Sequence, residues 1–271
     1  MSDDRGPKIY LLPNLMTAGN LCCGFLATIK ILEGALLEAT TPAAGTDSFH
    51  FAIWCILGAC IFDALDGRLA RLGGTDSSFG REFDSLADIV SFGVAPALMV
   101  HRIVFHENQK LGWMVASLYL VCGALRLARF NCLAAADSAA ANREFRGFPI
   151  PAAAGLVASI TLFLLWYTNN RIEHWLTTWA MPPLLIFLSW MMFSGFKYPS
   201  FKSLNWRSTR SIPRFIAIIG VLIFTAINFH WMPAVIFITY LLYGFLRPFL
   251  SRKMKEEIEE ELEDEEPLES P

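Results

Sequence analysis

Two stretches of the chain each join an apolar run to a pair of aspartates. Residues 51–72 read FAIWCILGACIFDALDGRLARL, and residues 83–100 read FDSLADIVSFGVAPALMV. A helix needs about 20 mostly apolar residues to cross the hydrocarbon of a bilayer. Each stretch therefore predicts a membrane-spanning helix with acids near one end, and the two acidic ends follow one another along the chain.

The four acids predict a shared site at one end of a helical bundle. Asp63 and Asp66 are three residues apart, so they share one helix face. Asp84 and Asp88 are four apart and share a face of the next helix. The 17 residues that connect the two pairs let the helices pack side by side, which brings the carboxylates together. An acid at membrane depth costs about 3 kcal/mol on insertion scales and is a functional candidate by default.

Converging carboxylates repel one another unless protons or cations lie between them. The segment 63–88 contains no Cys or His, and all-oxygen ligation favours Mg²⁺, Mn²⁺ or Ca²⁺ over Zn²⁺. Four carboxylates are enough to bridge two such ions, and a metal pair beside a phosphate is a familiar arrangement for phosphoryl transfer. The alternative is that the acids only pair with Arg68, Arg71 and Arg81.

Glycine and basic residues between the acids predict a phosphate site. Gly67 follows Asp66 directly, and Gly80 precedes Asp84 by one turn, so a ligand can approach the backbone at both places. Arg71 lies one turn beyond Gly67 and offers two donors to a phosphate oxygen. Ser77 in the connection offers a hydroxyl, unless it is an ordinary loop residue.

The composition of the 271 residues is that of a polytopic membrane protein. Hydrophobic residues make up 54% of the chain and charged residues 17%, against about 25% charged in a soluble globular domain. This argues against a soluble enzyme, a disordered protein and a disulfide-stapled secreted domain. We predict an all-α bundle of eight membrane helices, at roughly 15–34, 49–67, 84–104, 112–133, 150–168, 175–195, 212–229 and 232–250.

The basic residues predict the orientation. With the N-terminus inside, 18 of the 22 basic residues lie on or near the cytoplasmic side and three lie outside, which is a strong positive-inside bias. We therefore expect an integral protein of the cytoplasmic (inner) membrane, with the acids and both termini on the cytoplasmic side. The expected divisions are a cytoplasmic segment 1–12, a catalytic membrane domain 13–250 and a disordered acidic tail 251–271.

The spacing of the acids is similar to the signature of the CDP-alcohol phosphotransferase family. The fixed positions are Asp63, Asp66, Gly67, Ala70, Arg71, Gly80, Asp84 and Asp88, eight residues over 26 positions. The resemblance implies a six-helix core, here with a C-terminal helix pair added, and usually a homodimer. It implies an enzyme that binds a cytidine-diphosphate-linked lipid or alcohol and displaces CMP with the hydroxyl of a second substrate, using two divalent ions.

The resemblance also implies roles by position. The four aspartates would hold the metals, and Asp88 would also take the proton of the acceptor. The nucleotide and its phosphates would be contacted by a set of six residues: Asn14, Thr17, Gly67, Arg71, Ser77 and Gly80. Asn14 and Thr17 belong to residues 13–17, PNLMT, which resemble the family segment that touches the nucleotide. Several family members have Asp where this chain has Asn14.

Further stretches resemble the phosphatidylserine synthases within this family. They are residues 85–97, 122–131 and 145–155, and residues 196–202 look similar too. The resemblance implies CDP-diacylglycerol and L-serine as substrates, and phosphatidylserine and CMP as products.

A serine pocket needs a cation for the carboxylate of the amino acid. Arg126 and Arg129 lie on one helix face and are candidates, and Asn131 is a candidate hydrogen-bond partner of the acceptor. Arg143 and Arg146 are weaker candidates. The alternative is that these arginines are positive-inside anchors that extend to the interface.

Two other functions stay open at this point. The acceptor alcohol is glycerol 3-phosphate or an inositol phosphate in the first alternative, because the arginine cluster does not exclude a phosphate. In the second, the acids serve a divalent-cation transporter, which predicts acids near mid-membrane on several helices. Membrane lipids are expected partners, and nucleic acid is not.

Overall fold

The computed structural model describes residues 11–73, 77–105, 108–136, 147–167, 179–194 and 220–246 apart from 222, with the side chains of 70–73 and 133–136 left out. Within these ranges the chain consists of helices and turns, with no strand. The prediction of an all-α membrane bundle is confirmed. Residues 1–10 and 247–271 lie outside the described residues, and they include the whole predicted tail and most of the predicted N-terminal segment.

Seven helices of 13 residues or more make up most of the described architecture. They are α1 (Leu11–Leu37), α2 (Pro42–Gly73), α3 (Ser78–Val104), α4 (Gln109–Ala136), α5 (Ile150–Tyr167), α6 (Met181–Phe193) and α7 (Met232–Leu246). The first five are long and apolar enough to cross a membrane, as predicted. The predicted sixth and eighth spans correspond to α6 and α7, which are shorter. The predicted seventh span is described only from residue 220, and residues 223–227 are helical.

Small residues allow α1 to approach its neighbours closely. A Cβ built on Gly24 would lie 2.5 Å from the Cα of Ser91 in α3. A Cβ on Gly34 would meet the ring of Phe49 in α2 at 2.5 Å. Glycines at such crossings let backbones touch, which is how membrane helices gain van der Waals contact without a hydrophobic driving force. The close crossing with α3 sets the height of α1 beside the acids.

α3 is a continuous helix with two widened turns. Residues Ser78–Asp88 are α-helical, and π-helical turns follow over Ile89–Val94 and again over Val100–Val104. Within the first π turn, the amide of Ala95 donates to the carbonyl of Val90, five residues back. π turns often occur at functional sites, and this one begins directly after Asp88.

α5 lies in the centre of the bundle, where it packs against α2 and α7. It starts after Gly147, whose φ of 85° places a hypothetical Cβ against the carbonyl oxygen of Met192. The amide of Phe148 donates to the carbonyl of Met191 at 3.0 Å. These contacts tie the start of α5 to the end of α6, and they hold the Phe148 ring 5.7 Å from that of Tyr240 in α7.

Candidate active site

Three of the four predicted acids meet between α2 and α3. Carboxylate oxygens of Asp63, Asp66 and Asp84 all lie within 4.8 Å of one another. Asp66 is 5% exposed, and the other two are half-buried. The three-residue spacing on α2 places its two acids on one face, and the N-terminal turns of α3 place Asp84 opposite them. We call these three residues the acid cluster.

Asp88 lies one turn further along α3 and is not a member of the acid cluster. Its side chain is 6% exposed and within electrostatic range of all three clustered carboxylates. The Nδ2 of Asn20 in α1 donates to its Oδ1 at 3.1 Å. Asp88 is therefore held beside the cluster by a different helix.

α1 supplies hydrogen bonds to both acidic helices. The Oγ1 of Thr17 lies 3.1 Å from Oδ2 of Asp66 in α2, and it lies 3.2 Å from the carbonyl oxygen of Pro13 in its own helix. Sequence reasoning assigned Thr17 to the nucleotide and missed Asn20. An amide inside an apolar span is the signal that would have found Asn20, because polar groups at membrane depth are costly.

Three of the remaining residues predicted to contact the nucleotide, Asn14, Ser77 and Gly80, lie at the start of α3. Ser77 is the N-cap of α3, and its Oγ accepts the amide of Gly80 at 3.0 Å. A Cβ on Gly80 would lie 3.4 Å from Oδ1 of Asn14, whose Nδ2 is buried without a hydrogen-bond partner among the described residues. Gly67 is half-buried in α2. Arg71 lies in the last turn of α2, outside the residues whose side chains are described.

The structure separates the residues predicted for serine. Arg126 in α4 is only 8% exposed, its Nε finds no hydrogen-bond partner in the described part of the chain, and its guanidinium is within electrostatic range of Asp88 and Asp63. Arg129, three residues later, is exposed. The amide of Asn131 donates to the Oγ of Ser85 at 3.0 Å. Arg143 and Arg146 lie outside the described residues.

Tyr240 is a further residue that sequence reasoning missed. It lies in α7, within electrostatic range of Arg126, and packs against Phe148. No sequence pattern in α7 distinguishes Tyr240, because its position beside Arg126 depends on how α4, α5 and α7 pack.

The acid cluster fits a divalent cation. Its donors are carboxylate oxygens from two helices, which hard cations prefer. Oxygens that bind one such ion at about 2.0–2.6 Å stand up to about 5 Å apart, and the clustered oxygens are within 4.8 Å of one another. Asp63, Asp66 and Asp84 would therefore hold the ion.

Comparisons with known proteins identify the family of the chain. The family model for CDP-alcohol phosphatidyltransferase matches residues 10–190. A CDP-diacylglycerol–serine O-phosphatidyltransferase of Helicobacter pylori is 34% identical over 242 residues, which cover 88% of this chain and 91% of the relative. A protein of the same name from Bacillus subtilis is 32% identical over 191 residues, 70% of this chain and 91% of the relative.

An archaeal relative extends the comparison. The archaetidylserine synthase of Methanothermobacter thermautotrophicus is 31% identical over 203 residues, 73% of this chain and 74% of the relative. Residues 10–190, which the family model matches, contain all four acids, Thr17, Asn20 and Arg126, whereas Tyr240 lies beyond the end of that match. The chain belongs to the CDP-alcohol phosphatidyltransferase family.

Proposed function

We propose that the protein transfers the phosphatidyl group of CDP-diacylglycerol to the hydroxyl of L-serine, giving phosphatidylserine and CMP. The observation that carries the proposal is the meeting of Asp63, Asp66 and Asp84 within 4.8 Å, with Asp88 beside them. The relatives named as serine phosphatidyltransferases support the choice of acceptor.

The proposed chemistry is a substitution at the phosphorus atom on the lipid side of the diphosphate. The proposed cofactors are two divalent cations, either Mg²⁺ or Mn²⁺, with Ca²⁺ as a third option. When bound, they would neutralise the diphosphate and the charge that develops on CMP. The acid cluster would hold them, with Asp88 as a fourth ligand. Asp88 also takes the proton of the serine hydroxyl while the new O–P bond forms and the bond to CMP breaks.

The neighbouring residues would bind the two substrates. Carboxylates are weak bases towards alcohols, so positioning of the serine hydroxyl supplies much of the rate. The buried guanidinium of Arg126 supports a contact with the serine carboxylate, because a charge at that depth is costly unless it is paired. Arg129 and Asn131 are secondary candidates for this pocket. The nucleotide and its phosphates are proposed to contact Asn14, Thr17, Gly67, Arg71, Ser77 and Gly80.

A comparison of acceptors tests the proposal. Protein purified in detergent is given CDP-diacylglycerol, Mn²⁺ and one labelled alcohol at a time: L-serine, glycerol 3-phosphate or an inositol phosphate. We expect a labelled lipid and an equal amount of CMP with serine alone. Product with glycerol 3-phosphate and none with serine would contradict the choice of acceptor. Activity that survives complete chelation of divalent ions would contradict the role of the acid cluster.

We also propose that the active site and both termini face the cytoplasm, and that the protein is a homodimer. The excess of basic residues on that side supports the orientation, and the family resemblance supports the dimer. A reporter enzyme that is active only outside the cytoplasm, fused after Lys255, should be inactive. Crosslinking in native membranes should yield a species of twice the mass of the chain, and a monomer alone would contradict the dimer.

A further inference from the structure

Asn20 connects α1 to Asp88 in a setting that excludes water and lipid. Its side chain is fully buried, and so is nearly all of Asp88. The Nδ2–Oδ1 distance of 3.1 Å is that of a hydrogen bond. Because both groups are buried, no solvent competes for the contact, and the amide fixes the plane of the carboxylate.

The backbone around Asn20 is fixed independently of the amide. The Oγ of Ser91 donates to the backbone carbonyl of Asn20 at 2.9 Å. One turn further along α1, Gly24 allows the backbone of α3 to approach, since a Cβ there would lie 2.5 Å from the Cα of Ser91. Ser91 is three residues after Asp88, so α1 and α3 are held together at the level of the Asn20–Asp88 contact.

The carbonyl oxygen of the Asn20 side chain indicates why the chain has an amide at this position. Oδ1 of Asn20 is buried and has no hydrogen-bond partner among the described residues. An unpaired buried carbonyl is destabilising, and a small apolar residue at this position would avoid that penalty. The benefit of the amide therefore lies at its donor end, in the contact with Asp88.

We propose that Asn20 is a positioning residue for Asp88, whose Oδ1 it holds so that Oδ2 is directed to the proton of the acceptor hydroxyl. The inference rests on the proposed function in one respect, the role of Asp88 as the base. A carboxylate that is free to rotate is seldom aligned with the reacting hydroxyl, whereas one held at a single oxygen is aligned before the substrate arrives. The three carboxylates of the acid cluster do not depend on Asn20, and Asp88 would supply only the fourth ligand, so Asn20 acts much more on turnover than on the binding of metal.

Two substitutions test the inference. Asn20→Leu keeps about the size of the side chain and removes the donor, and Asn20→Ala removes the whole amide. Loss of a side chain that hydrogen-bonds to a functional group typically changes activity 10- to 100-fold. We expect kcat to fall by about that factor in both variants. Two other quantities should stay within about threefold of wild type, because the acid cluster is intact. One is the KM for CDP-diacylglycerol. The other is the half-saturating Mn²⁺ concentration, at which the metal-induced rise in Tm reaches half of its maximum.

Two control variants lie on the same helix. Thr28→Ala removes a hydroxyl that donates to the carbonyl of Gly24 at 3.0 Å, and it should leave kcat within about twofold. Thr17→Val removes the hydroxyl that lies 3.1 Å from Asp66. Because Asp66 is in the acid cluster, this variant should raise the half-saturating Mn²⁺ concentration about tenfold, which Asn20→Ala should not do.

The outcomes separate a positioning role from a structural one. Wild-type kcat in both Asn20 variants would overturn the inference. So would a loss of kcat accompanied by an equal loss of the Mn²⁺ response, or failure of both variants to elute as folded protein, because either result assigns Asn20 to the fold. A separate result would contradict the proposed function itself: wild-type protein that makes no lipid product from serine. In that case the kcat comparison is made with whichever alcohol the wild type accepts.

Discussion

The polar residues of α5 and of α1 are equally buried but bond in different ways. In α5, Ser159 and Thr161 donate to carbonyls of their own helix, three and four residues back, at 3.0 and 2.8 Å. In α1, Thr17 and Asn20 reach carboxylates on other helices. A hydroxyl that bonds back to its own helix needs no particular neighbour. A bond across helices fixes two elements relative to each other, and those of Thr17 and Asn20 both end on the acids.

The largest effect should come from the acid that α1 holds. Asp88→Asn removes the proposed base and should lower kcat by about 10²- to 10⁴-fold, while CDP-diacylglycerol still binds. Steady-state incorporation of labelled serine and equilibrium binding of the CDP-lipid measure the two quantities. Asp47→Asn, an exposed acid at the opposite end of α2, is the control and should be near wild type. Wild-type turnover in Asp88→Asn would exclude Asp88 as the base.

The next effect should come from separating α1 and α3. In Gly24→Ala the new methyl would lie 2.5 Å from the Cα of Ser91, so the backbones must move apart. We expect a lower Tm and a kcat reduced about tenfold or more, because the Asn20–Asp88 bond lengthens. In Gly58→Ala the methyl has nothing within 4 Å, so this helix glycine should be neutral or stabilising by up to about 1 kcal/mol. Equal Tm and equal kcat in the two variants would mean that the close crossing of α1 and α3 is not needed for stability or turnover.

A smaller effect should distinguish the two kinds of polar contact directly. Ser91→Ala removes the hydroxyl that holds the carbonyl of Asn20. Hydrogen bonds between membrane helices contribute about 0.6 kcal/mol on average, so kcat should fall about threefold. Thr161→Val in α5 removes only a contact within its own helix and should leave kcat unchanged. A larger loss in Thr161→Val than in Ser91→Ala would refute the distinction.

The smallest effect is expected for the acidic end of the chain. Truncation after Lys255 removes ten acids and none of the proposed site residues, so kcat should stay within about twofold of wild type. The measurement is the same serine assay on monodisperse protein. A well-folded truncated protein without activity would show that the tail takes part in catalysis.

Sequence spacing predicted those features that depend on one helix or on two consecutive ones. The meeting of Asp63 and Asp66 with Asp84 follows from the three-residue spacing on α2 and the short connection to α3, although Asp88 lies one turn outside the cluster. The first five spans follow from their length. Helix ends were less accurate: α1 begins at Leu11, earlier than predicted, because the apolar pattern does not show where a helix leaves the hydrocarbon.

Features that depend on packing between distant helices could not be predicted in this way. Arg126 and Arg129 share a helix face in the sequence, yet one is buried beside Asp88 and the other is exposed. Asn20 meets Asp88 only because Gly24 lets α1 cross α3 at that height. Helices that are apolar all around give no periodic signal of which side meets which neighbour.

The length of α3 has a consequence for how a lipid substrate arrives. Its 27 residues extend about 40 Å at 1.5 Å per residue, against a hydrocarbon thickness of about 30 Å. Asp84 and Asp88 follow its first residue by 6 and 10 positions, which places them about 9 and 15 Å from its acidic end. If the helix is centred on the hydrocarbon, about 5 Å projects on each side, so Asp84 lies about 4 Å and Asp88 about 10 Å below the boundary between headgroups and acyl chains. A lipid diphosphate can meet the carboxylates while its acyl chains stay in their own leaflet, so the rate should follow the mole fraction of the lipid in the membrane plane rather than its bulk concentration.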